Sequence, residues 1–154
     1  MTMRGWTAGV ALAVVVWASP AMADQPLVSS AEPGFVVIVN KDNPVTSLSV
    51  NELQRIFRKQ SRMWPHAESI VPVDWDSTSE VRQEFSRRVM GRSVREMAEF
   101  WVQQSVTQGL APPSTHKSAR AILRFVASVV GAISYVPPGD VDATVKVIKV
   151  AGIS

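Results

Sequence analysis

The stretch Ile70–Val89, IVPVDWDSTSEVRQEFSRRV, decides the fold that the sequence predicts. Its first part, Ile70–Val73, is apolar and predicts a short buried strand, while apolar residues at every fourth position from Val81 to Val89 predict an amphipathic helix. Between them, Asp76–Ser79 holds only residues that favour helix N-caps. Because a helix N-terminus presents free backbone N–H groups and the positive end of a dipole, this turn is a candidate anion-binding site.

Three further apolar runs predict strands on either side of this stretch. Phe35–Val39 is apolar at every position, which is typical of a strand covered on both faces, as in a parallel sheet. Ala132–Val136 predicts another strand, and the PPGD turn follows it. Val145–Val150 predicts the last strand, and its two lysines indicate an edge that faces solvent.

Capping signals mark two helix starts. Ser49 with Glu52 and Ser93 with Glu96 each form the S-x-x-E capping box, in which the two residues satisfy each other's backbone donors. A third helix is expected from about Ser118. The predicted inward face of the helix after Ser93 comprises Val94, Met97, Ala98, Trp101 and Val102, and that of the helix after Ser118 comprises Ile122, Phe125, Val126 and Val129.

The resulting order, β-α-β-α-α-α-β-β, predicts an α/β domain in which helices pack on a small mixed sheet. We expect Gly91 to cap the helix of the opening stretch and Gly131 to end the third helix.

The first residues predict export. Residues 1–23 combine a positive charge at Arg4, a short apolar run and the small-residue pattern Ala21-Met22-Ala23, which together predict a signal peptide cleaved after Ala23. Residues 24–34 predict a flexible linker, and residues 35–154 the folded domain. The expected location is therefore the periplasm. A chain without cysteine must then rely on its core and not on disulfides.

Charge and motifs argue against several function classes. The 16 Lys and Arg barely exceed the 13 Asp and Glu, which does not favour nucleic-acid binding. The two histidines, His66 and His116, lie in predicted loops without a metal-ligand or triad pattern, so neither a metal, nor another cofactor, nor an enzyme is predicted. Capping is the expected role of Asp76, which lies beside Asp74 at the strand end. The basic cluster Arg55, Arg58, Lys59 and Arg62 is interpreted as a solvated helix end.

Four segments in this order resemble the phosphate-binding periplasmic proteins of ABC importers, in the type 2 periplasmic-binding-protein superfamily. They are FVVIVNKDNPV (35–45), SLSVNELQRIFRKQSRMW (47–64), SIVPVDWDSTSEVRQEF (69–85) and VVGAISYVP (129–137). The residues that carry the resemblance most specifically are Leu53, Ile56, Phe57, Trp64, Gly131, Ile133, Tyr135 and Val136.

The resemblance implies a two-lobed protein with the ligand between the lobes, but the mature chain is about half that length and corresponds to a single lobe. It also implies that an arginine and an S-G-T segment hold the oxyanion. Here the matching region has Asp74 near the arginine position and no glycine, and Ser134 replaces a glycine of the later strand.

Two hypotheses follow. In the first, an exported, non-enzymatic solute-binding protein binds a small oxyanion such as phosphate through Ser77, Thr78 and Ser79, with Arg82 as counter-charge. Trp75 either covers the sheet edge or faces the ligand groove. In the second, an interaction module has kept the fold but lost the solute site, and binds a membrane transporter, another periplasmic protein or itself.

Overall fold

The computed structural model describes Thr2 and residues 32–153, so the predicted signal peptide and most of the predicted linker lie outside the described residues. The strands are β1 (Val36–Asn40), β2 (Ser47–Ser49), β3 (Val71–Trp75), β4 (Ser114–His116), β5 (Ala132–Val136) and β6 (Val145–Ala151). The helices are α1 (Val50–Phe57), α2 (Glu80–Phe85), α3 (Val94–Gln108) and α4 (Ala119–Ser128). A π-helical turn, Ser86–Met90, extends α2, and a 3₁₀ turn, Pro138–Asp140, precedes β6.

The strands form one mixed sheet in the order β2-β6-β1-β5-β3-β4. The first strand, β1, is antiparallel to both β5 and β6, with Val37 opposite Tyr135 on one side and Ile148 on the other. The pairs β3–β5, β3–β4 and β2–β6 are parallel. This α/β architecture confirms the predicted fold class, and all eight predicted elements are present in the predicted order.

The predicted caps at Ser49, Ser93 and Gly91 are confirmed. The Ser49 and Ser93 side chains each accept a hydrogen bond from the backbone N–H three residues on, and the Glu52 and Glu96 carboxylates each accept one from the backbone N–H of the capping serine. Gly91 follows the π-helical turn with φ 64°, a left-handed conformation that glycine adopts without a steric penalty.

The core lies between the sheet and the helices, and one aromatic cluster fills the end beneath β5. Phe85 stacks on Tyr135 with ring centroids 3.8 Å apart, and Phe57 lies 4.8 Å from Phe85. The contact between α2 and β5 therefore fixes the position of the Tyr135 ring, and its hydroxyl is directed to the end of β3.

Several sheet predictions are wrong in detail. The continuous apolar run of β1 is buried as expected, but its pairing is antiparallel on both sides. The last strand, β6, is interior, because β2 pairs with it and forms the edge in its place. The lysines of β6 lie on partly exposed faces of the strand. They do not indicate whether the strand is at the edge of the sheet. The short edge strands β2 and β4 were not predicted, because three polar-rich residues carry no periodic pattern.

Gly131 has a different role from the one predicted. Helix α4 ends at Ser128 with Val129 as its C-cap, so the glycine is not the cap. A Cβ at Gly131 would lie 1.8 Å from the Ser69 carbonyl oxygen, closer than any real contact. The Gly131 carbonyl also accepts hydrogen bonds from the Trp64 indole N–H at 3.0 Å and the Val71 N–H at 3.0 Å. Glycine is needed here because the loop before β3 packs directly against this backbone.

The inward faces of the two long helices differ from the predictions to different degrees. In α4, Ile122 and Val126 are buried as predicted, whereas Phe125 and Val129 are half-buried. In α3 only Met97 and Trp101 are buried. Of the predicted α3 face, Ala98 and Val102 are exposed and Val94 is half-buried, because α3 touches the rest of the domain along a narrow line. No helix in residues 32–153 is both long and apolar enough to cross a membrane.

Candidate ligand-binding cleft at the carboxyl end of β3

A cleft of about 670 Å³ opens where β3 and β4 end, between these strands and α3. One end of it is polar and the other is apolar. The polar end is lined by Asp74, Asp76, Ser77, Arg82, Ser114 and Thr115, and the apolar wall by Ala98, Trp101, Val102, Val106, Pro112 and Pro113, with Ser105 between. The cleft volume lies in the ~300–1,000 Å³ range of small-molecule sites.

A buried ion pair closes the floor of the polar end. The Arg82 Nη1 atom lies 2.7 Å from Asp74 Oδ2, and it also donates to the Trp75 carbonyl at 2.7 Å. The Asp74 carboxylate accepts a hydrogen bond from the Tyr135 hydroxyl, and its Oδ1 accepts the Trp75 N–H at 2.8 Å. Asp74 is thus held by a cation and two further donors, so its charge is largely compensated within the protein.

Burial governs how this cluster titrates. It raises the pKa of Asp74 above the usual range, against the opposing effects of the Arg82 charge and of the hydrogen bonds. Burial and the neighbouring Asp74 charge raise the pKa of Tyr135, so its hydroxyl is a hydrogen-bond donor throughout the physiological range.

The turn between β3 and α2 is held by its own side chains. Asp76 Oδ1 accepts hydrogen bonds from the Thr78 N–H at 3.1 Å and the Thr78 hydroxyl at 2.7 Å. The Ser79 N–H donates to the Asp76 carbonyl at 3.0 Å. The two bonds from Thr78 lower the pKa of the Asp76 carboxyl. They stabilise the turn before α2, but the N-cap of the helix is Ser79, so the predicted capping role of Asp76 is wrong. Two of the backbone donors that sequence reasoning offered to an anion are therefore already bonded.

The five predicted site residues lie in three different environments. Ser77 and Arg82 line the cleft. Thr78 and Ser79 belong to the adjoining turn and are not among the residues that line it. Trp75 is buried, and its indole N–H donates to the Tyr135 carbonyl at 2.7 Å, so its ring packs in the core and not in the groove. Trp75 therefore neither faces the cleft nor covers an edge strand, because its partner β5 is interior to the sheet.

Sequence reasoning missed the link from Asp74 to Tyr135 and Arg82. The one available signal was Tyr135 itself, since a tyrosine within a buried strand usually needs a polar partner for its hydroxyl. It also missed the apolar wall, because Ala98 and Val102 were assigned to the core.

The described residues hold no other obvious chemical centre. Within residues 32–153, no group of three His, Asp or Glu side chains is placed to bind a metal ion. His66 lies on an exposed loop and stacks near Trp64. His116, in β4, packs its ring 5.6 Å from that of Phe125.

Solved structures with the same fold identify the architecture. The chain superimposes on an ABC-type phosphate transport receptor from Vibrio cholerae with a TM-score of 0.62 and 24% identity, over 79% of this chain and 48% of the receptor. A phosphate ABC transporter substrate-binding protein with bound phosphate, from Clostridium perfringens, matches with a TM-score of 0.64 and 23% identity, over 79% and 46%. PstS from Borrelia burgdorferi matches with a TM-score of 0.61 and 13% identity, over 79% and 48%.

The chain has the fold of half a phosphate-transport receptor. This likeness confirms the resemblance in the sequence at the level of fold. The chain spans about half the length of these solved structures. No protein-family model and no curated protein matches the sequence.

Proposed function

We propose that this chain is an exported, non-enzymatic solute-binding-type domain that binds a small oxyanion such as phosphate at the polar end of the cleft. The observation that carries the proposal is the position of Ser77 and Arg82 in the wall of a cleft at the carboxyl end of β3. The presence of this site in a domain with the fold of phosphate-transport receptors supports it.

The charges permit only a modest affinity. Arg82 is paired with Asp74, so an anion would meet a nearly neutral pair and not a free cation. The remaining attraction comes from the Ser77 hydroxyl, from those guanidinium N–H groups of Arg82 that do not contact Asp74, and from the N-terminal end of the short helix α2. We therefore expect binding that is weak and sensitive to salt.

Isothermal titration with phosphate and with sulfate tests the proposal. We expect saturable heat that Ser77→Ala reduces severalfold, with Ser69→Ala on the loop before β3 as the matched control. An absence of both heat and a melting shift at millimolar phosphate and sulfate would remove the oxyanion site.

Export and a transporter partner belong to the same proposal. The fold is that of receptors for ABC transport, and the predicted cleavage after Ala23 would release a protein that begins at Asp24. Expression of the whole chain in a Gram-negative host, followed by N-terminal sequencing of the protein in the periplasmic fraction, tests the predicted export and cleavage. Recovery of the uncleaved chain from the cytoplasm would contradict it.

A second candidate function is supported by a separate observation. The apolar wall of the cleft includes Val102 and Val106, whose exposed fractions are 66% and 82%. Such exposed aliphatic residues favour an interaction module that binds another protein chain. Light scattering of the purified domain and pull-down from an envelope extract distinguish this candidate from a solute-binding protein that acts as a monomer.

A further inference from the structure

Helix α3 presents an apolar surface that nothing in residues 32–153 covers. Val102 and Val106 lie one turn apart on α3, and both line the cleft although most of each side chain is exposed. Pro112 and Pro113 continue the apolar wall towards β4. Contiguous exposed apolar groups beside a concave surface are typical of a docking site.

The opposite wall of the cleft is an open sheet edge. Among the strands of residues 32–153, β4 is the last in the sheet order and pairs with β3 alone. Its residues Ser114 and Thr115 line the cleft. An edge strand carries backbone N–H and C=O groups that can pair with another extended chain. A strand added here would lie between β4 and the valines of α3.

The charges of the cleft favour an uncharged occupant. Asp74 and Arg82 neutralise each other at 2.7 Å, and Asp76 is bonded to Thr78. Asp76 also lies near Lys117, whose charge lowers the pKa of the Asp76 carboxyl further. Two acidic groups, Asp74 and Asp76, are thus offset by two basic groups, Arg82 and Lys117, so the cleft carries little net charge to attract a strongly charged segment.

The size of the cleft suits a single peptide segment. The apolar wall and the polar end enclose a concave space of about 670 Å³. A space of this size can enclose a few side chains of one extended segment.

We propose that the cleft binds an extended, uncharged, aliphatic-rich segment of a partner protein, which adds as a strand to the free edge of β4 and packs its side chains on Val102 and Val106. The proposal rests on the second candidate function and names the chemistry of its partner. In strand addition of this kind, main-chain hydrogen bonds supply affinity, and the wall that faces alternate side chains supplies selectivity.

The test uses the mature chain and a set of blocked heptapeptides whose four central positions are varied among valine, isoleucine, leucine and threonine. We expect saturable binding, followed by intrinsic tryptophan fluorescence, to which Trp101 in the cleft wall contributes, and increased hydrogen-exchange protection of the β4 amides. N-methylation of the central residues should weaken the best peptide by about tenfold or more, because it removes main-chain donors. Equal affinity of the methylated and unmethylated peptides would overturn strand addition.

Two variants locate the site on α3. Val106→Asp should weaken peptide binding by about tenfold or more, because the complex would bury an unpaired charge. Gln103→Asp places the same charge on an exposed position of α3 that does not line the cleft, and should leave binding unchanged. Equal effects of the two variants would contradict the proposed location.

Failure of the peptides is distinguishable from failure of the second candidate function. If no peptide of the set binds while light scattering shows a dimer that Val106→Asp dissociates, the occupant is a second copy and strand addition is wrong, although the interaction module stands. If no peptide binds, the chain is monomeric and envelope pull-down is empty, both proposals fall. Phosphate titration is independent of either result.

Discussion

Helices α3 and α4 both begin at a capping serine, but α4 is strongly amphipathic and α3 only weakly so, and their surroundings differ. The ten-residue α4 buries Ile122, Leu123 and Val126 against the sheet. The Asn40 side chain of β1 also donates to the carbonyls of Val126 and Ala127 at 2.8 and 3.0 Å, which secures the end of the helix. The fifteen-residue α3 has a capping box at one end and a left-handed glycine at the other. Yet only two of its residues are buried.

The difference shows that local signals determine where a helix begins more closely than how much of it the domain buries. Both helices are capped at the predicted serines, Ser93 and Ser118. Burial depends on the neighbouring elements. Helix α4 packs on β5 and β1, in the middle of the sheet, whereas one side of α3 lines the open cleft. We therefore expect the stability of the domain to depend on α4 and on the cluster at β3, and its binding to depend on α3.

The largest effect is expected at the cluster that positions the cleft floor. Asp74→Ala leaves the Arg82 guanidinium buried without its counter-ion and removes the acceptor of the Tyr135 hydroxyl. Loss of one partner of a buried pair typically lowers the free energy of unfolding by about 3–5 kcal/mol. Urea denaturation measures this free energy. The double variant D74A/R82M should recover part of the loss. If Asp74→Ala alone costs less than about 1 kcal/mol, the pair contributes no more than a solvent-exposed ion pair does.

A large effect is also expected in α4. Ile122 is fully buried, so Ile122→Ala should lower the free energy of unfolding by about 2–5 kcal/mol through lost burial and an unfilled cavity. Thermal and urea unfolding should agree. A loss of less than half a kilocalorie per mole would mean that α4 is no better anchored than the outer face of α3.

Removal of the N-cap of α3 should have an intermediate effect on the free energy of unfolding. Ser93→Ala removes the acceptor of the Glu96 N–H and the hydroxyl that donates to the Glu96 carboxylate. We expect a loss of about 1 kcal/mol, concentrated in the first turn. Hydrogen exchange should show faster exchange in α3 while the amides of α4 keep their protection. Equal acceleration in both helices would indicate global unfolding and contradict the weak coupling of α3.

Acidification should increase the difference in local stability between α3 and α4. Hydrogen bonds from Ser93 lower the pKa of Glu96, whereas the first turn of α4 contains no acidic residue. A carboxyl with a lowered folded-state pKa stabilises the fold above its usual pKa of 4.5, and this contribution is lost as pH falls below that value. Hydrogen exchange compared between pH 6 and pH 4 should therefore show selective loosening of the α3 N-terminus, after correction for intrinsic rates. Protection unchanged at both pH values would show that the Glu96 carboxylate does not stabilise this turn.

The smallest effect on stability is expected on the exposed face of α3. Val102→Ala removes a side chain that is 66% exposed, so the free energy of unfolding should change by no more than about 0.5 kcal/mol. Urea denaturation beside Ile122→Ala makes the comparison direct. A loss near that of Ile122→Ala would mean that the valine contributes to the core after all.

The sequence predicts most of the fold because its strongest signals are local. The boxes at Ser49 and Ser93 and the apolar runs of β1 and β5 need no knowledge of distant residues. The short strands β2 and β4 are defined by their partners and not by their own composition, so pattern analysis could not find them.

The candidate site was predicted less well because its chemistry depends on long-range contacts. Nothing near Asp74 indicates that Tyr135 donates to it, and burial of Trp75 depends on the carbonyl of that same tyrosine. Only Ser77 and Arg82 of the predicted residues line the cleft. The pairing of Arg82 with Asp74 changes what either could do for a ligand.

The sheet order also constrains when the domain can fold. Strand β1 is made before both of its hydrogen-bonded neighbours, β5 and β6, which are the last two strands of the sheet in chain order. Until then, β1 has no strand to pair with, and helices alone cannot bury its side chains. Folding that depends on such distant pairings is slow, because the chain loses the entropy of loop closure before the stabilising contacts form. A nascent chain that stops short of β5 should therefore remain open to proteases and chaperones, and the domain should become resistant only after β5 and β6 have been made.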